Sequence, residues 1–200
     1  MLTTLPNLLT LSRIAAIPLV IVTFYLPAPY GPWIGCGLFA LAGFTDWLDG
    51  RLARLWKQQS ELGRFLDPIA DKLLVAAVLF MLAAFRHERE LSQFTIFPAL
   101  VILSREILVS GLREHLAVLK VRVPSSRLAK WKTGIQMAAI GVLVVGNSGP
   151  DFLPVTLIGE LMLWVAAILT LVTGYDYLRA GLTHMSEEPP SGKTVKPSVT

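Results

Sequence analysis

The chain has 200 residues, of which 54% are hydrophobic and only 16% charged, and its mean hydropathy is +0.59. A soluble domain would carry roughly a quarter charged residues, so the composition excludes an ordinary soluble globule and points to one integral membrane domain. The net charge of +4 does not call for nucleic acid, because basic residues of membrane proteins collect on the cytoplasmic side, beside anionic lipid headgroups.

A crossing needs about 20 mostly apolar residues. Six stretches qualify, at roughly 8–28, 32–50, 66–85, 93–119, 131–147 and 153–178. Pro6 and Asn7 suit the start of the first. The N-terminus lacks the basic region and small-residue cleavage site of a signal peptide, so this first run is expected to stay as a helix. The segments "PAPYGP" (27–32), "RHERE" (86–90) and "GNSGPD" (146–151) read as connections. The expected fold is all-α: a polytopic membrane domain over 1–182 with six transmembrane helices, followed by a polar, proline-bearing tail over 183–200 expected to be disordered.

Orientation follows from the basic residues. Thirteen of the 18 lie in the 51–64 connection, between the fourth and fifth spans, or near the C-terminus, against Arg86 and Arg89 on the opposite side. Arg13, Lys72 and Arg105 fall within spans. Both termini and the 51–64 connection are therefore expected to face the cytoplasm. The single cysteine, Cys36, excludes an intramolecular disulfide, and His87, His115 and His184 have no zinc-ligand spacing.

The stretch "TDWLDGRLARLWKQQSELGRFLDPIADK" (45–72) places four aspartates where the second and third spans approach the cytoplasmic boundary. At about 100° per residue, Asp46, Asp49, Gly50 and Ala53 share an arc of about 100° on the second span. Asp67 and Asp71, four apart, stack on one face of the third. A short connection is expected to make these two helices antiparallel neighbours, so that all four carboxylates converge. Ordinary pairing with Arg51, Arg54, Arg64 and Lys72 accounts poorly for this, because those cations are spread over several faces. At mid-membrane, four ionised acids would cost about 10–14 kcal/mol. Oxygen-rich acid clusters suit hard divalent ions such as Mg²⁺ or Mn²⁺, and two such ions suit phosphoryl displacement.

The spacing Asp46-x-x-Asp49-Gly50-x-x-Ala53-Arg54, eight residues, Gly63-x-x-x-Asp67-x-x-x-Asp71 resembles the signature of the CDP-alcohol phosphatidyltransferase family, with eight fixed identities across 26 residues. That resemblance implies a six-helix membrane enzyme, commonly a homodimer, that uses two divalent ions. It would transfer the phosphatidyl group of a CDP-linked lipid to an alcohol and release CMP. By the same resemblance Asp46, Asp49, Asp67 and Asp71 would hold the metals, and Asp71 would also be the general base. Asp49, Gly50, Ala53, Arg54 and Gly63 would line the CDP site.

The motif does not choose the alcohol. "SREILVSGLREH" (104–115) sets Arg105 inside an apolar span and Arg113 two turns on, and "RLAKWKTGIQM" (127–137) brings Arg127, Lys130 and Lys132 to the start of the fifth span. Cations at these depths suit a phosphorylated acceptor, whose monoester carries up to about two negative charges at neutral pH. Arg105, Arg113, Lys130 and Lys132 are the candidate phosphate ligands. The alternative for the basic residues is cytoplasmic charge bias with snorkelling, and Glu106 offers a partner for a basic neighbour on another helix. The first segment and the 104–137 region are further similar to the members of the family that act on glycerol phosphate. This implies CDP-diacylglycerol and sn-glycerol 3-phosphate as substrates. In that setting Asn7, Thr10 and Arg13 would lie near the nucleotide or headgroup, the alternative being helix-start polar residues and one interfacial arginine. Inositol phosphate and phosphatidylglycerol remain rival acceptors. A divalent-cation transporter is the rival of a different class.

Overall fold

The structure is a computed structural model that describes residues 5–56, 61–118 and 127–186. Six long helices account for almost all of it, and among the described residues there is no strand. Helix α1 (Leu5–Thr23) has Pro6 in its first turn, where a missing N–H costs nothing. It ends before Pro27 and Pro29. Phe24, Tyr25 and Leu26 bond back three residues to Ile21, Val22 and Thr23, at 3.1, 3.1 and 3.3 Å, which tightens the last turn. Helix α2 (Tyr30–Trp56) and helix α3 (Glu61–Ala84) follow. The Ser92 side chain then accepts from the N–H of Phe94 and starts a 3₁₀ turn, Gln93–Thr95, leading into α4 (Ile96–Val118). Helix α5 (Arg127–Val145) runs into Gly146, whose φ of +53° suits a residue without Cβ. Helix α6 (Val155–Ser186) is the last element of the described residues.

Helix α1 packs against both α2 and α3, α2 also meets α5, and α6 lies against α4 and α5. Val20, Phe39, Leu74, Val78, Ile102, Ile140, Leu143 and Leu163 meet in the middle, each at most 1% exposed. The outward faces are also apolar. Phe80, Leu100, Leu161 and Leu171 are all more than half exposed, a surface suited to lipid rather than water.

Among the described residues each of the six apolar stretches falls largely on a helix, with shifted ends. Helix α2 continues past 50 to Trp56 and α3 begins at Glu61, because a helix need not stop where apolarity stops and "RLARLW" is made of good helix formers. Helix α6 continues past 182 to Ser186, and the rest of the expected tail lies outside the described residues. Among the described residues three segments are long and apolar enough to cross a membrane: Gln93–Ala117, Leu128–Ser148 and Val155–Arg179. Thr10–Thr23 is a shorter apolar run. In α2 and α3 the charged motif dilutes the hydropathy.

One expectation is modified. Among the described residues α2 and α3 touch each other only sparingly, and α1 is the helix that packs against both.

Candidate active site

The N-terminal halves of α1, α3 and α5 and the C-terminal halves of α2, α4 and α6 meet at one end of the bundle. Asp46 comes from α2 and Asp67 and Asp71 from α3. Arg13 of α1 has a side chain with 0% exposure, and its Nη1 lies 2.7 Å from the Asp46 carboxylate, which is 40% exposed. One turn earlier, buried Thr10 donates its hydroxyl to Asp67 Oδ1 at 2.5 Å. A hydroxyl donating to a carboxylate makes a short, charge-assisted bond. Helix α1 therefore holds one acid from each of its neighbours.

The carboxylates act on one another. Asp46 lies within electrostatic reach of Asp67 and Lys72 as well as Arg13. Asp71 feels Asp46, Glu106, Lys72 and Arg13. The Lys72 ammonium is tied to the Pro68 carbonyl at 2.8 Å. The donor set is thus all oxygen and mutually repulsive, which fits a hard divalent cation. The bonds from Arg13 and Thr10 leave each carboxylate with further lone pairs. Among the described residues no three acids form a ready-made metal group.

Asn7, Asp49, Gly50, Ala53 and Arg54 lie on helical backbone, and their side chains are outside the described residues. Gly63 is buried near the start of α3.

Beside Asp71 a cavity of about 700 Å³ opens between α3, α4 and α5, and Lys72, Arg105, Glu106, Arg113, Lys130 and Lys132 are on its wall. The structure thus brings all four candidate phosphate ligands to one cavity with the candidate base. Five cationic side chains against the two carboxylates Asp71 and Glu106 give the lining a formal charge of +3. Lys130 and Lys132 stand in the first two turns of α5, the positive end of its dipole, where cations are unfavourable until an anion arrives.

Each arginine is aimed by a neighbour. Arg105 Nη2 donates to Thr173 Oγ1 at 3.1 Å, and its Nη1 is 3.5 Å from Glu106. The stem passes over Gly174, where a Cβ would lie 3.0 Å from Arg105 Cγ. Arg113 Nη2 donates to the Tyr177 hydroxyl at 3.1 Å, with the guanidinium carbon 5.3 Å from the ring centre. Lys132, 4% exposed, is paired with Glu106, the inter-helix partner that the sequence offered.

Thr10 is more than a helix-start polar residue and Arg13 more than an interfacial arginine: both are buried and reach the aspartates. The sequence reading passed over the α6 residues Thr173, Gly174 and Tyr177. Their only signal was a polar, small and aromatic series at near-helical spacing within an apolar run.

Curated relatives align over nearly the whole chain. A CDP-diacylglycerol–glycerol-3-phosphate 3-phosphatidyltransferase of Rickettsia bellii is 50% identical over 176 residues, 88% of this chain and 94% of that protein. Proteins of the same name from Haemophilus influenzae and Cereibacter sphaeroides are 40% and 36% identical. They cover 88% and 92% of this chain and 91% and 98% of their own lengths. A model of the family described as CDP-alcohol phosphatidyltransferase matches residues 3–172, which include every aspartate and cation of the site. The chain belongs to the CDP-alcohol phosphatidyltransferase family.

Proposed function

We propose that this chain is a membrane enzyme that transfers the phosphatidyl group of CDP-diacylglycerol to sn-glycerol 3-phosphate, giving phosphatidylglycerophosphate and CMP. The observation that carries the reading is the single cavity joining Asp71 to Arg105, Arg113, Lys130 and Lys132. The names of the relatives agree with it.

The family is in general divalent-metal dependent. Asp46, Asp49, Asp67 and Asp71 would hold two ions, Mg²⁺ or Mn²⁺, which when bound neutralise the pyrophosphate and stabilise the departing CMP. Arg105, Arg113, Lys130 and Lys132 hold the acceptor's phosphate and point its free hydroxyl back toward α3. Asp71 accepts the proton of that hydroxyl as its oxygen bonds to the phosphatidyl phosphorus. The bond from that phosphorus to the CMP oxygen breaks, and its electron pair leaves with CMP. By the family motif, Asp49, Gly50, Ala53, Arg54 and Gly63 would line the CDP site, and Asn7 would serve the nucleotide or headgroup. Thr10 serves the same site by fixing Asp67.

The chain has six crossings of the inner membrane, with both termini and the cavity on the cytoplasmic side, and works as a homodimer among membrane lipids without nucleic acid. The distribution of basic residues supports this topology.

The test is an acceptor panel. Purified protein in detergent with Mg²⁺ and CDP-diacylglycerol is given labelled sn-glycerol 3-phosphate, inositol phosphate or phosphatidylglycerol. Lipid product and CMP are expected in equal amounts with glycerol 3-phosphate. Product with inositol phosphate alone would overturn the assignment.

A further inference from the structure

The cations of the cavity account for a phosphate and Asp71 for one hydroxyl. Glycerol 3-phosphate carries a second hydroxyl, and the mechanism so far leaves it unread. On α5, one turn beyond Lys132 and Thr133, stands Gln136, only 3% exposed. Its Oε1 is buried and has no hydrogen-bond partner among the described residues. A buried amide left in this state is unfavourable, whereas leucine or methionine would pack there without that loss. Gln136 lines a narrow pocket of about 40 Å³ together with Asp71, Glu106 and Thr133. Those three residues also line the larger cavity of the candidate phosphate ligands.

We propose that Gln136 is a specificity residue that binds the non-reacting, secondary hydroxyl of the acceptor. This rests on the acceptor being glycerol 3-phosphate. The chemistry of the amide selects a hydroxyl over the other groups in play. A carbonyl oxygen only accepts, so its partner must bring a proton, and a phosphate dianion has none to give. A hydroxyl both donates and accepts, so it satisfies the amide in either orientation of the group. Its neutral character also keeps it from competing with the cations for the phosphate. Placed beside Asp71 and one turn from Lys132, Gln136 reads the carbon between the reacting hydroxyl and the phosphate.

A site built to bond a hydroxyl penalises the analogue that lacks it, because its own buried polar group is then left alone. The probe is 3-hydroxypropyl phosphate, which keeps the phosphate and the primary hydroxyl and lacks the secondary one. The wild-type enzyme is expected to prefer glycerol 3-phosphate by about tenfold to a hundredfold in kcat/KM. Gln136→Leu should lose most of that factor with glycerol 3-phosphate and change less than about threefold with the probe. Gln136→Ala serves if the leucine variant does not fold, and CDP-diacylglycerol binding reports that either variant is intact. Equal losses with both acceptors, as a purely packing role requires, would overturn the proposal. So would a wild-type enzyme indifferent between them. A wild-type enzyme that uses neither acceptor but takes inositol phosphate would instead remove the functional reading on which the proposal rests.

Discussion

At the end of the bundle where α3 turns into α4, Arg89 is 4% exposed. Its guanidinium sits 4.8 Å over the ring of Phe24 and donates to the carbonyl of Val144, at the end of α5. Nearby, Glu160 of α6 accepts from the N–H of Ser92 and the hydroxyl of Thr95, both at 2.6 Å. Burial holds Arg89 below its ordinary pKa, and the Glu88 carboxylate offsets part of that shift. At the opposite end, around Asp71, polar groups are just as deeply placed but less fully paired. Arg105 Nε and Gln136 Oε1 have no hydrogen-bond partner among the described residues. Asp46 and Asp71 repel, and the cavity wall carries excess positive charge. One end uses its polar residues to close the bundle. The other holds them ready for ions and substrates, so the two should respond differently to mutation.

The largest contrast is expected at Asp71. Asp71→Asn should lower turnover by about a hundredfold to ten-thousandfold while CDP-lipid binding persists. Single-turnover CMP release beside a binding measurement checks this, and normal turnover would remove Asp71 as the base. Next comes acceptor affinity. Arg105→Ala or Arg113→Ala should each raise KM for glycerol 3-phosphate by about tenfold to a hundredfold, the worth of a hydrogen bond to a charged group, with kcat changed much less. A fall in kcat at constant KM would reassign them.

At the closed end the pattern should invert. Arg89→Leu should cost about 1–3 kcal/mol of stability by orphaning the Val144 carbonyl, with KM for both substrates unchanged. Thermal unfolding in detergent and steady-state kinetics on the same preparation decide it. The smallest effect is expected from Gly174→Ala. Its new methyl meets the Arg105 stem, a flexible neighbour that can shift, so KM for the acceptor should rise only a few-fold. A loss as large as that of Arg105→Ala would mean that the stem has nowhere to go.

The family was legible because eight identities at fixed spacing carry it, and spacing survives without coordinates. The depth of Arg105 and the basic start of α5 were readable for the same reason. Each is an ionisable residue where apolar sequence sets a cost. The partners of these residues were less readable. Thr173 and Tyr177 act through α6, far away in the chain, and threonine and tyrosine inside an apolar helix carry no cost large enough to mark them. The role of α1 was hidden by a simplifying geometry. A short 51–64 connection suggested that α2 and α3 meet directly, whereas α1 packs against both and supplies Arg13 and Thr10. The all-helical class followed from apolar runs. Helix ends did not, since α2 and α6 continue through polar sequence.

The bonds from α1 to Asp46 and Asp67 have a consequence for the order in which the protein is made. Chains emerge N-terminus first, so the helix that orients both acids is available before either acid has been synthesised. Helices α2 and α3 then arrive one after the other against a partner already present. Asp46 and Asp67 then meet the Arg13 and Thr10 side chains as soon as their helices pack against α1. A defect in α1 should therefore show itself during biogenesis, as poor insertion of the two helices that follow it.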